Sequence, residues 1–219
     1  GMQPGESRLV ELTVDREEFR FYDVISRKLM VEEGRYRIFA GPSSAAEALS
    51  AWADLPGQKT GRRDTAEKTA ADHYDGYENI VLTEGHFGFT AAAVKDASGK
   101  AALCYRDCLI HREASGIVLH LKSEKGCSVK VFVDGSQAAH LEGDTATYER
   151  AGFPPMDEKA RREAQERRAG WKPIYADVCL PLDRDALEGK EGKAVEIRLE
   201  LTGDVRLCYF RIRKGPAGR

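Results

Sequence analysis

The sequence predicts an all-β protein in two unequal parts: a few N-terminal strands, then a β-sandwich or jelly roll with a short helical insertion. Three observations predict it. Apolar and polar residues alternate with period two in RLVELTVDREEFRFYD and again in EEGRYRIFAG, the pattern of half-buried strands. Seven β-rich runs recur over the last 140 or so residues, each closed by Gly, Asp or Ser turn chemistry. Helix signals concentrate in one charged segment, PMDEKARREAQERRAGW.

Composition sets the outer limits. The 219 residues are 42% hydrophobic and 32% charged, with neither the long apolar run of a membrane span nor the low hydrophobicity of a disordered chain. Lys and Arg number 34 against 36 Asp and Glu, a formal net charge of -2. That balance offers no basic excess for phosphate backbones or anionic membranes, so neither nucleic acid nor lipid is expected as a partner. Five scattered cysteines are an odd number in a chain too long to need staples, which favours buried reduced thiols and a cytoplasmic setting. The opening GMQPG reads as a residue of expression before a start Met, and the natural protein is expected to extend upstream.

Along the chain, FYDVISRKLMVEEGRYRIFAGPSS (residues 21–44) reads as a strand, a charged turn and a second strand stopped by Gly-Pro-Ser-Ser. Residues 45–77, rich in Ala, Gly, Asp and Lys, read as a linker with a helical turn or two near Ala45–Ala53. From residue 78 to 219 the strand candidates are GHFGFTAAAVKD, KAALCYRDCLIH, GIVLHLKS, CSVKVFVDG, YADVCLPLD, KAVEIRLELTG and VRLCYFRIRK. Between the fourth and fifth, Pro154 and Pro155 precede a cap at Asp157, and Gly170 follows the last turn, which marks a surface helix over residues 156–169.

No catalytic constellation stands out. Glycoside hydrolysis needs two carboxylates across one bond, and the acid pairs Glu17–Glu18 and Glu32–Glu33 sit in turns. There is no Gly-x-Ser-x-Gly elbow, His-Glu-x-x-His pair or phosphate-binding glycine loop. Cys104, Cys108 and His111 have ligand chemistry, but on one strand the two thiols share a face and His111 points the other way, so no metal site is expected.

Two resemblances follow from these residues. Phe21, Tyr22 and Asp23, then Gly34, Tyr36, Gly41, Ser43 and Ser44, resemble the later strands of the fibronectin type III-like domain that closes bacterial family-3 glycoside hydrolases, the β-glucosidase family. The likeness spans roughly residues 7–44 and implies that the rest of that domain and the catalytic domains lie upstream. The bare strands are then expected to pack on the second domain or to pair with another copy, giving a homodimer.

The second part is similar to family-6 carbohydrate-binding modules over about residues 86–214, through GCSVKVFVDG, AGWKPIYADVCLPL and GKAVEIRLELTGDVRLCYFRIRK. That resemblance implies a glycan or oligosaccharide ligand, clamped by aromatic rings at one end of the sandwich. Trp171 falls on one aromatic position and Tyr105 near the other, and Arg206 replaces the hydrogen-bonding Asn of the last strand. Tyr209 and Phe210 read as core and rim of that strand. The carboxylates that hold a structural calcium in those modules have no clear counterpart near His86 or in FRIRKGPAGR, so no cofactor is expected, and the calcium that the resemblance implies is in doubt. The implied function is a non-catalytic accessory region of a β-glucosidase-like hydrolase that binds carbohydrate near the parent active site. The alternative is a structural sandwich that packs on the catalytic core or mediates oligomerisation without binding sugar.

Overall fold

A computed structural model describes residues 3–43, 49–97, 99–143 and 175–215. Trp171 and the helix expected over residues 156–169 lie outside them. The chain divides into two compact units, Gly1–Gly61 and Arg62–Arg219.

The first unit is two hairpins. β1 (Phe21–Asp23) pairs antiparallel with β2 (Lys28–Met30), and β3 (Gly34–Ala40) with β4 (Leu49–Leu55). The β1–β2 turn is tied by Asp23, whose carboxylate accepts from the backbone N–H of Ile25 and Ser26 at 3.2 and 2.8 Å. Tyr36 donates its hydroxyl to the Glu32 carbonyl and meets Phe19 edge to face at 5.5 Å. Thus Asp23 and Tyr36, two residues of the N-terminal motif, have local structural reasons to be there.

Two expectations need correction in this unit. The alternating segment before Asp15 forms no strand: Leu9, Val10, Leu12 and Val14 are all exposed, because a period-two pattern is only a strand once a partner supplies its ladder. The expected linker is largely structured. Leu49–Leu55 is a full strand in register with β3, and the backbone of Gln58 bonds that of Val31 and Glu33. The Ala content that suggested a helical turn is overridden by this pairing.

The second unit begins earlier than residue 78, with β5 (Arg63–Asp64), β6 (Thr69–Ala70) and β7 (Gly76–Glu78). Then come β8 (Ile80–Glu84), β9 (Thr90–Val94), β10 (Ala101–Leu109), β11 (Ala114–Lys122), β12 (Cys127–Val133) and β13 (Ser136–Gly143). β14 (Ala176–Pro181), the single-turn α1 (Arg184–Leu187), β15 (Ala194–Gly203) and β16 (Arg206–Lys214) complete it. One sheet runs β13-β12-β15-β10-β5, with β7 also on β10, and the other β14-β11-β16-β9-β8, with β6 also on β16. This is the expected β-sandwich.

Its core is read directly off the alternation. Val129, Val131, Val133, Ile197, Leu199 and Leu201 point inward from the first sheet, and Ile117, Leu119, Leu121, Leu207, Phe210 and Ile212 from the second. The Val-Asp-Gly that closes β12 is a two-residue hairpin turn: Asp134 and Gly135 have φ of 45° and 78°, the left-handed pair that matches strand twist. β13, whose SQAAHLEG lacks β-branched residues, is recruited by this turn and by pairing with β12.

A bulge in β10 decides the fate of several candidate residues. Its register against β15 shifts between Tyr105 and Cys108, with Asp107 at φ 50°. Leu103, Tyr105 and Cys108 therefore all face the core, whereas Cys104 points outward to the Arg198 guanidinium at 3.4 Å. The two thiols do not share a face as a regular strand would place them. Burial pushes the Cys108 thiol up to about 12.

A histidine and aromatic platform on the second sheet

The outer face of the β14-β11-β16 sheet is unusual because β11 is buried on both sides: Val118 and His120 face outward yet are nearly inaccessible. In register across the three strands stand Asp177, His120 and Tyr209. Asp177 Oδ1 lies 2.6 Å from His120 Nδ1 and accepts the Tyr209 hydroxyl at 3.1 Å. One carboxylate oxygen therefore locks two rings side by side, and His120 and Tyr209 stack with centroids 4.6 Å apart and planes within 3°.

A second layer lies on this base. The β8–β9 connection, Gly85-His86-Phe87-Gly88-Phe89, folds back across the sheet. Gly85 is what allows it: a Cβ there would meet the Phe89 carbonyl oxygen at 2.1 Å and Cys208 Sγ at 3.0 Å. His86 Nδ1 comes within 3.0 Å of His120 Nε2, and its ring stacks on Tyr175 at 5.1 Å. Tyr175 in turn donates to the Glu84 carbonyl at 3.3 Å. Phe89 packs on Tyr209 at 4.9 Å. Phe87 rests against His86 at 3.8 Å, 83% exposed, with φ of 52°. A bulky residue held in the left-handed region costs roughly 1–3 kcal/mol and persists only where its surroundings impose it.

The electrostatics of the platform are those of a half-dry surface. Burial pushes both Tyr175 and Tyr209 up to about 12, the Cys208 sulfur adding to it at Tyr175 and the Asp177 carboxylate at Tyr209. Burial, then the neighbouring His120, holds His86 below the usual imidazole range. With the Nδ1–H of His120 given to Asp177, its Nε2 lone pair accepts from the Nδ1–H of His86.

The arrangement does not use the residues the sequence pointed to. Tyr105 is corrected outright: it has no exposed surface, its ring meets Phe210 edge to face at 4.9 Å between the sheets, and its hydroxyl donates to the Ala71 carbonyl at 2.9 Å. A ring without surface cannot stack on a sugar. Arg206 is exposed at the start of β16, on the outer face, and acts electrostatically on Tyr175. Trp171 lies outside the described residues, so the three are not seen together. Tyr209 and Phe210 divide the other way round from the expected core and rim: Phe210 faces inward, and Tyr209 on the outer face joins the platform. His86, Phe87, Phe89, His120, Tyr175 and Asp177 were missed, although His86 and Phe87 between Gly85 and Gly88 are a signal that a turn and not a strand presents the rings.

Among the described residues no cluster of three metal-ligating side chains occurs, and no helix is long and apolar enough to cross a membrane. Cys108, Cys127 and Cys208 are buried, and all five cysteines are free thiols. At the other end of β16 a groove is lined by His111, Glu113, Arg184, Leu187 and Glu191, with no phenyl, phenol or indole ring among its lining residues.

Comparison with known proteins agrees with this division. Residues 2–44 match the fibronectin type III-like domain family. No curated protein matches the chain in sequence. Among solved structures, CsCBM6-3 of Clostridium stercorarium, crystallised with cellobiose, is similar at 15% identity and a TM-score of 0.50, over 71% of this chain and 98% of that one. A family 6 carbohydrate-binding module studied by crystallography and titration calorimetry shares 13% identity with a TM-score of 0.51, over 72% of this chain and all of that one. A family 43 arabinoxylan arabinofuranohydrolase of Bacillus subtilis, in complex with cellotetraose, shares 9% identity with a TM-score of 0.51, over 77% of this chain and 31% of that one. The chain thus joins a fibronectin type III-like segment to a sandwich with the fold of family 6 carbohydrate-binding modules.

Proposed function

We propose that the second unit is a non-catalytic carbohydrate-binding module, and that the whole chain is an accessory region of a β-glucosidase-like glycoside hydrolase that holds glycan near the parent's catalytic domains. The observation that carries the binding reading is Phe87, an exposed phenyl ring kept in an unfavourable backbone conformation above a fixed bed of rings. A sugar ring presents C–H groups on one face and hydroxyls at its rim, which suits such a surface with polar groups beside it. The fibronectin type III-like match at residues 2–44 supports attachment to a larger hydrolase, as does a similar fold making up part of a longer arabinofuranohydrolase. Tethering raises the local concentration of substrate without any catalytic residue in the module.

Titration of the chain with β-linked gluco- and xylo-oligosaccharides tests this. Saturable binding is expected, weakened about tenfold or more in Phe87→Ala, the loss of one buried aromatic contact. Trp171→Ala tests the contribution of the aromatic position that the resemblance implies. Binding lost in Trp171→Ala but untouched in Phe87→Ala moves the site away from the platform. No heat with any sugar, from a folded sample, favours the structural reading. That second reading has an observation of its own: the β3–β4 hairpin exposes apolar residues on both faces, Ile38 and Leu49 on one and Phe39 and Trp52 on the other, which suits cover by a second copy or by upstream domains.

A further inference from the structure

We infer that the glycan this platform takes is anionic, a chain whose rings bear carboxylate or sulfate groups; this rests on the carbohydrate-binding reading and names its substrate class. Three cations rim the rings. Lys68 Nζ stands 4.5 Å from the centre of Tyr209 and 5.7 Å from that of Phe89. Arg206 and Arg211 stand on the same outer face of β16, before and after Tyr209. All three are exposed, and none has an ion-pair partner among the described residues. Arg213 continues the row two residues beyond Arg211 on the same face, with Cys179 Sγ 3.5 Å from its guanidinium.

Asp177, bonded to His120 and Tyr209, keeps its negative charge beneath the rings, so the charged groups of the ligand would sit outward of it on the arginine row, where Glu124 is already paired with Lys122 at 2.7 Å and the Asp204 carboxylate is held by the backbone N–H of Glu124 and Lys125. In a chain of net charge -2, a strand carrying Arg206, Arg211 and Arg213 outward is a local excess. The stretch from Arg206 to Arg213 spans roughly 23 Å, long enough to follow several sugar rings. Guanidinium groups fork onto carboxylate and sulfate oxygens, whereas neutral hydroxyls need no such row. The rings would stack on the apolar sugar faces and the cations would read the charged substituents.

The test titrates the full chain with an oligogalacturonide, a sulfated galactan oligosaccharide and a cello-oligosaccharide of equal length, in 50 and 500 mM NaCl. At low salt one anionic ligand should bind about tenfold tighter than the neutral one, and high salt should shrink that margin as screening shortens to a few ångströms. Preference for the galacturonide assigns the carboxylate, and for the galactan the sulfate. The triple variant Lys68→Gln, Arg206→Gln, Arg211→Gln, folded by circular dichroism, should lose the margin between anionic and neutral ligands; a margin that survives the three substitutions overturns the inference. Equal affinity for neutral and anionic ligands overturns this inference and leaves the carbohydrate reading standing. Binding to none of the three overturns both. A single-stranded oligonucleotide that displaces the best glycan also overturns it, since stacking and charge would then serve nucleic acid.

Discussion

His86 lies 3.0 Å from His120, whose other ring nitrogen is held by Asp177. Burial and that neighbour keep the His86 imidazole harder to protonate than in the unfolded chain. The unfolded state therefore binds more protons below about pH 6.5, and stability is full above that value and falls as pH drops through the lower folded one. Melting midpoints measured from pH 7.5 to 5 should fall, and His86→Gln should flatten the slope; equal slopes in both proteins would refute the role of this ring. Tyr105 works at the same scale in the opposite place. Tyr105→Phe strands the Ala71 carbonyl and should cost about 1–2 kcal/mol in denaturant unfolding, with no change in sugar affinity. Nothing in LCYRDC announces the bulge that sends Tyr105 inward: Arg106 and Asp107 are ordinary turn residues, and the register shift is set by pairing with β15. Conversely, the platform rings are drawn from residues 86–89, 120, 175–177 and 209, and only their three-dimensional register unites them.

Among the elements, the most legible were the strands with β-branched alternation. β12 presents Val129, Val131 and Val133, and β15 Val195, Ile197, Leu199 and Leu201, at alternate positions, and both form as their sequences indicate. Those least legible owe their form to a partner. β13 follows a tight Asp-Gly turn, β5 to β7 are two or three residues long, and β4 was hidden in an Ala-rich stretch that pairs with β3. The β8–β9 hairpin is the element on which the site depends. Gly85→Ala should force its loop off the sheet, since the added methyl group would overlap the Phe89 carbonyl. The expected result is loss of sugar binding about equal to that of Phe87→Ala, with the core intact by near-ultraviolet circular dichroism. Unchanged binding would mean that the loop conformation is immaterial.

For the whole molecule, the two units differ in what they bury. The second encloses a continuous core from Ala71 to Ile212, whereas the first buries few side chains, Met30 and Val31 among them. Residues 62–219 alone should therefore fold and bind sugar with the affinity of the full chain, as measured by parallel titrations; an unfolded product would make the first unit an essential part of the sandwich. The charge balance was legible at this scale but misleading at a smaller one: a net charge of -2 conceals a basic row on one strand, because total charge carries no information about placement. The loop from Gly85 to Phe89 has an implication for how such proteins diversify. It carries the most exposed ring on a hairpin at the sheet margin, while its foundation of His120, Asp177 and Tyr209 belongs to strands that also build the core. The loop is thus an exchangeable cassette: descendants can trade five residues and acquire a new ligand while inheriting an unaltered scaffold.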